Sequence, residues 1–162
     1  MTRTIFMDDA AMTDFPTSGA GLATLAQQLQ ETRGRTQRAT GDLTPAQLMG
    51  PKLPIVNPVQ WEIGHVAWFH EYWTLRGAHG EPPLVGRGDT LWDSSAVAHD
   101  TRWDLDLPDP AGTRAYMAEV LARQLDRLGR RDFPDRARYY YELAIRHEDM
   151  HVEALTYMRQ TL

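Results

Sequence analysis

From Ala20 onward, apolar residues return every three or four positions. Leu22, Leu25, Ala26, Leu29 and Thr32 or Arg33 share one side of a helix that is expected to run to about Thr40, where Gly41 ends it. Thr44-Pro45-Ala46-Gln47-Leu48 reads as a short capped turn, with Thr44 as N-cap and Pro45 in the first position. Asn57-Pro58 opens the second long helix with the same device. That helix runs to about Arg76 and stops at Gly77; its inward stripe reads Glu62, His65, Val66, Phe69, Tyr72 and Trp73. A third long helix, Ala111 to about Gly129, turns Tyr116, Met117, Val120, Leu121, Leu125 and Leu128 inward. A fourth runs from about Asp135 to the end. Its stripe is Tyr140, Leu143, Ala144, His147, Met150, His151, Ala154, Leu155 and Met158.

The intervening stretches differ in kind. Asp42 to Pro58 holds Pro45, Gly50, Pro51, Pro54 and Pro58, too many breakers for one long helix. Gly77 to Pro110 shows no helix period, yet it carries Trp92 and Trp103. A long loop with two tryptophans is expected to be ordered and packed over something. Residues 1–18 show little periodicity and read as a flexible tail. The expected fold is all-α: a four-helix bundle over 19–162, with a long ordered loop between helices 2 and 3.

Composition narrows the chemistry. The formal net charge is -5 and the basic residues are scattered, so there is no basic stripe to bind nucleic acid. There is no cysteine, so a metal would be held by His, Asp or Glu. No apolar run approaches the ~20 residues of a membrane span. The first residues carry Asp8, Asp9 and Asp14 and lack an apolar signal core, so a cytoplasmic protein is expected.

The candidate chemistry lies on the helix stripes. His147 and His151 stand one turn apart on the same face of the fourth helix. Two imidazoles aimed into a bundle make half of a metal site; the alternative is a pair of hydrogen-bonded core histidines. His65, on the inward stripe of the second helix, supplies a third ring. Three neutral imidazoles on one face of a cation leave other positions open and leave its charge intact. That suits an anionic substrate group or an oxygen-derived ligand. Glu62, one turn before His65, is placed to accept a hydrogen bond from a ligand ring, the alternative being a solvated glutamate at a helix start. Glu153 projects to another side of its helix from the histidine pair. His70, about 140° around the helix from His65 at 100° per residue, faces a different side. It reads, with His79 and His99, as a solvated or hydrogen-bonding histidine. Of Tyr139, Tyr140 and Tyr141, Tyr140 lies on the histidine stripe, and the run reads as packing.

Trp61-Glu62-Ile63-Gly64-His65-Val66-Ala67-Trp68-Phe69, followed by His147-x-x-x-His151-x-Glu153, resembles the DinB-like N-terminal domain of the ergothioneine-synthase family. These are iron(II)-dependent sulfoxide synthases, with selenoneine-synthase relatives. The likeness extends from about Leu22 onward and takes in Trp92-Asp93-Ser94-Ser95 and Asp100-Thr101-Arg102-Trp103. The resemblance implies that His65, His147 and His151 are iron ligands. It implies an oxidoreductase that uses O2 to join sulfur or selenium, from a thiol or selenosugar donor, to the imidazole of hercynine, a trimethylated histidine. Glu153 matches the motif by position, in a supporting role. The charge of Arg102 suggests contact with a donor carboxylate. In the family a C-type-lectin-like domain follows the bundle and completes the pocket; that domain is absent from this sequence, so a partner chain or a longer protein is expected to supply it. Two other readings remain. One is a DinB-type thiol S-transferase using zinc or nickel, and the other a non-catalytic metal-binding bundle.

Overall fold

The computed structural model of the protein describes residues 19–162, so the tail read over 1–18 lies outside the described residues. The expected all-α bundle is present, and no strand occurs among the described residues. Its long members are α1 (Gly19–Thr40), α3 (Val59–His70), α5 (Pro110–Leu128) and α6 (Ala137–Met158). Two short helices, α2 (Pro45–Met49) and α4 (Gly88–Trp92), lie in the connections. Local signals set several ends. Thr44 caps α2 in a reciprocal box with Gln47, and the carboxylate of Asp109 caps α5 by accepting from Gly112 N at 2.6 Å. Asn57 does not cap α3 as expected. Pro58 occupies the cap position, and the Asn57 side chain is spent on Glu62 and Arg102 instead.

α3 is buried on every side: each residue from Val59 to Trp68 is inaccessible. Such a helix has no solvent face, so its inward stripe is wider than periodicity predicts. It continues as a π-helical run, Glu71–Ala78. The wider winding shifts the register, burying Thr74, Leu75 and Ala78. Tyr72, expected to face inward, is 36% exposed, and Trp73 is half-buried.

Two apolar clusters form the core. One gathers Trp61, Val66, Trp92, Met117, Val120, Leu155 and Met158. The other joins Leu25, Leu29, Leu128, Tyr141 and Ile145. Along α1, α5 and α6 the polar residues Arg33, Gln124 and Glu148 fall between the members of these clusters and are themselves buried. The stripe expected on α6 therefore needs correction. Met150 is 55% exposed, whereas Tyr141, Ile145 and Glu148 are buried. The helix packs on one side against α1 and on another against α3, so its buried arc extends past the histidine stripe.

The loop between α3 and α5 is ordered, and it contains α4 and a 3-10 turn, His99–Thr101, where no helix was expected. Indole N–H groups tie down the loop and its surroundings. Trp61 donates to Leu91 O at 2.7 Å, Trp68 to Asp89 Oδ1 at 2.8 Å and Trp103 to Met49 O at 3.1 Å. Trp61, Trp68 and Trp92 are buried, and Trp73 and Trp103 are half-buried. No described helix is long and apolar enough to cross a membrane.

Candidate metal centre

His65 is placed by a close contact between a helix and the loop. A Cβ on the preceding Gly64 would lie 2.1 Å from Trp92 Nε1, so only glycine lets the fully buried Trp92 rest against α3. Resting there, Trp92 puts its carbonyl 2.7 Å from His65 Nδ1. A carbonyl can only accept, so Nδ1 carries the ring proton and Nε2 presents a lone pair. Trp61 stacks on the His65 ring, with centroids 4.8 Å apart and planes inclined by 8°.

α6 brings the other two rings. His147 and His151 have their Nε2 atoms 3.2 Å apart. His151 turns Nδ1 to Glu62 Oε2 at 2.5 Å, and a carboxylate facing Nδ1 leaves Nε2 as the free donor. His147 is stacked on Phe69 with ring centroids 3.5 Å apart and 5° between planes. Its Nδ1 is buried and has no hydrogen-bond partner among the described residues.

The three histidines each offer one nitrogen within 4.8 Å of the others. This donor set fits a cation. Imidazole nitrogens sit about 2.1 Å from a transition metal, and two of them on a tetrahedral ion lie about 3.4 Å apart, close to the His147–His151 spacing. Burial also disfavours the charged form of two of the rings. His65 is lowered to about 4, by loss of water first, partly opposed by the Trp92 carbonyl and reinforced by His151. Burial, then the neighbouring His151 and His65, lowers His147 to about 2. Burial raises the Glu62 carboxyl, but His151 and Asn57 outweigh it, and the net shift is downward. An ionised Glu62 behind His151 suits a bound cation.

Glu62, one turn before His65, is buried and faces His151 rather than His65. Glu153 is exposed on the outer side of α6. Arg102 is buried and both its Nη atoms are engaged: Nη1 donates to Asn57 Oδ1 at 2.8 Å and Nη2 to Val97 O at 3.1 Å, while Nε has no partner among the described residues. Its guanidinium lies 3.9 Å from the centre of the Trp61 ring. His99 reaches Val56 O at 2.6 Å from Nε2, and His79 sits beside Tyr141. His70 is wholly buried, its Nε2 3.0 Å from Glu148 Oε2 and its Nδ1 3.0 Å from Gln124 Nε2.

Sequence reasoning missed the Trp92 carbonyl, Asn57 and Glu148. A backbone acceptor leaves no trace in residue type, and Asn57 imitated a helix cap. Glu148 did carry a signal, because it adjoins His147 and lies one turn beyond Ala144, both on the expected inward stripe.

The DinB superfamily profile matches residues 28–155. Three curated relatives are each called hercynine oxygenase. The chain is 32% identical to that of Mycolicibacterium smegmatis over 134 residues, 82% of this chain and 31% of the relative. The Mycobacterium tuberculosis protein is 32% identical over 133 residues, 81% of this chain and 31% of the relative. The Mycolicibacterium thermoresistibile protein is 32% identical over 136 residues, 82% and 30% respectively. The chain therefore spans about a third of the length of these relatives. With a helical bundle, a three-histidine centre and a profile match over most of its length, the chain belongs to the DinB superfamily.

Proposed function

We propose that this chain is the metal-binding domain of a non-haem iron(II), O2-using oxidoreductase that forms a C–S or C–Se bond on hercynine. The observation that carries the reading is the convergence of three imidazoles, on α3 and α6, in a chain similar to hercynine oxygenases. His65, His147 and His151 would hold the ion. Bound iron(II) would supply redox chemistry with O2 and a seat for a soft sulfur or selenium donor. The chain's own residues prepare that seat. Trp92 O fixes the tautomer of His65, Glu62 takes the proton side of His151, and Phe69 covers one face of His147. Glu153, directed to solvent, takes no part in holding the ion. A lectin-like domain or partner chain would complete the substrate pocket, in keeping with relatives about three times as long. A cytoplasmic setting fits this use of a diffusible substrate.

The test is the metal content of anaerobically purified protein offered iron(II), zinc and nickel together. About one iron per chain, lost in His147→Ala, is the expected result, followed by hercynine perturbing the spectrum of the iron form. Full iron occupancy in His147→Ala would show the triad to be wrong. Uptake of zinc or nickel without any response to hercynine would favour a thiol S-transferase.

A further inference from the structure

Two ends of one loop reach two of the three histidines. At its start, Trp92 O lies 2.7 Å from His65 Nδ1. At its end, Arg102 is held by the loop's own carbonyls, Val97 O at 3.1 Å and Ser94 O at 3.4 Å. From there Arg102 Nη1 donates to Asn57 Oδ1 at 2.8 Å. Asn57 Nδ2 donates to Glu62 Oε1 at 2.6 Å, and the other carboxylate oxygen meets His151 Nδ1 at 2.5 Å. The same guanidinium lies on the Trp61 ring, which stacks on His65. Arg102 thus touches one histidine through an indole and another through an amide and a carboxylate.

From this arrangement, and resting on the three histidines being metal ligands, we infer that Arg102 and Asn57 are positioning residues that couple the order of loop 94–102 to the metal centre. A substrate carboxylate would have to compete with Asn57 and two carbonyls for the Nη atoms of this guanidinium, and its Nε is buried. The loop carbonyls fix the guanidinium, the guanidinium fixes the amide of Asn57, and the amide orients Glu62 so that one oxygen is left for His151. Each contact is directional, and the amide has one donor side and one acceptor side, so turning Asn57 over would break both bonds. A lysine at 102 keeps the charge but cannot fork between Asn57 and Val97. Linkage then requires the reverse effect: an ion that holds His151 and Glu62 in place also holds the loop.

Cobalt(II) is a suitable probe, because its visible absorption reports ligand geometry and does not depend on turnover. Wild-type protein, Asn57→Ala and Arg102→Lys would be titrated with cobalt(II), and hydrogen exchange over 94–102 followed with and without it. The expected result is about tenfold weaker binding in both variants, the usual scale for losing a residue that orients a ligand, with an altered visible spectrum. Cobalt(II) should slow exchange over 94–102 in wild type and do so much less in Asn57→Ala. Wild-type affinity, spectrum and exchange response in both variants would overturn the inference. Far-ultraviolet circular dichroism of the metal-free variants checks that each is folded. Should Asn57→Ala fail to fold, Arg102→Lys decides alone. The cobalt(II) coupling together with no uptake of iron and no response to hercynine would sink the enzymatic reading and sustain this one. A wild-type protein that binds no cobalt(II) would overturn both.

Discussion

A phenol removed from water keeps its proton, because its anion would be left poorly solvated. Burial pushes Tyr141 well above the usual phenol range, with Arg127 opposing and Glu81 adding to the shift. Burial and then the carboxylate of Glu71 raise Tyr116 well above the usual phenol range. In the unfolded chain both would titrate near pH ~10. The folded value lies above the unfolded one, so the contribution to stability is whole below pH ~10 and is lost as pH rises toward the folded value. Each phenol can add up to about 1.4 kcal/mol of lost stability per pH unit in that window. Urea unfolding at pH 9, 10 and 11 should therefore show a falling midpoint in wild type and a shallower fall in Tyr141→Phe. Equal slopes would mean that Tyr141 is not protected from titration.

At the scale of the element, α3 is a helix without an outside, and its closest neighbour is the indole of Trp92. Gly64→Ala would drive a methyl group into Trp92, which is fully buried and cannot retreat. Overpacking of this kind costs about 1–3 kcal/mol. It should also displace the carbonyl that fixes His65, so the variant should lose metal affinity along with stability. Cobalt(II) titration beside urea unfolding checks this; loss of stability at unchanged affinity would separate the Trp92 packing from the His65 contact. The same helix shows how far the sequence can be read. The four long helices were legible because their apolar residues repeat at 3.6, and His65, His147 and His151 because the repeat put them on inward stripes. The π-helical winding after His70 was not legible, since no residue type announces it, and it turned Tyr72 outward. Burial of α3 on all sides hid His70, because a histidine 140° from an inward stripe is expected to meet water. On α6 the stripe was drawn through Met150, when the second packing face ran through Ile145 and Glu148.

At the scale of the molecule, the bundle is joined across its middle by one buried charge. Glu148 on α6 accepts from Arg33 Nε at 2.9 Å and Thr36 Oγ1 at 2.7 Å, both on α1. Arg33 also donates from Nη1 to Met117 O on α5, at 2.6 Å. His70, at the end of α3, stands 3.0 Å from the second carboxylate oxygen. Three helices therefore meet at a carboxylate that is wholly out of water, and Arg33 links a fourth, α5, to it. Burial raises Glu148, but Arg33 first and then His70 more than offset it and hold the carboxyl well below its ordinary range. Breaking one side of such a pair costs more than never having had it, because the remaining charge is stranded. Glu148→Gln keeps the shape but leaves Arg33 without an anion, and should lower stability by about 3–5 kcal/mol. Arg33→Met should cost a similar amount by stranding Glu148. Joining Arg33→Met to Glu148→Leu removes both charges, so the double variant should be more stable than either single one, by a coupling that urea unfolding of all four proteins measures. Additive losses would mean that each residue is held by its own contacts. A coupling of several kcal/mol would make the pair the joint that keeps α1 and α5 in place against α6, the helix carrying His147 and His151.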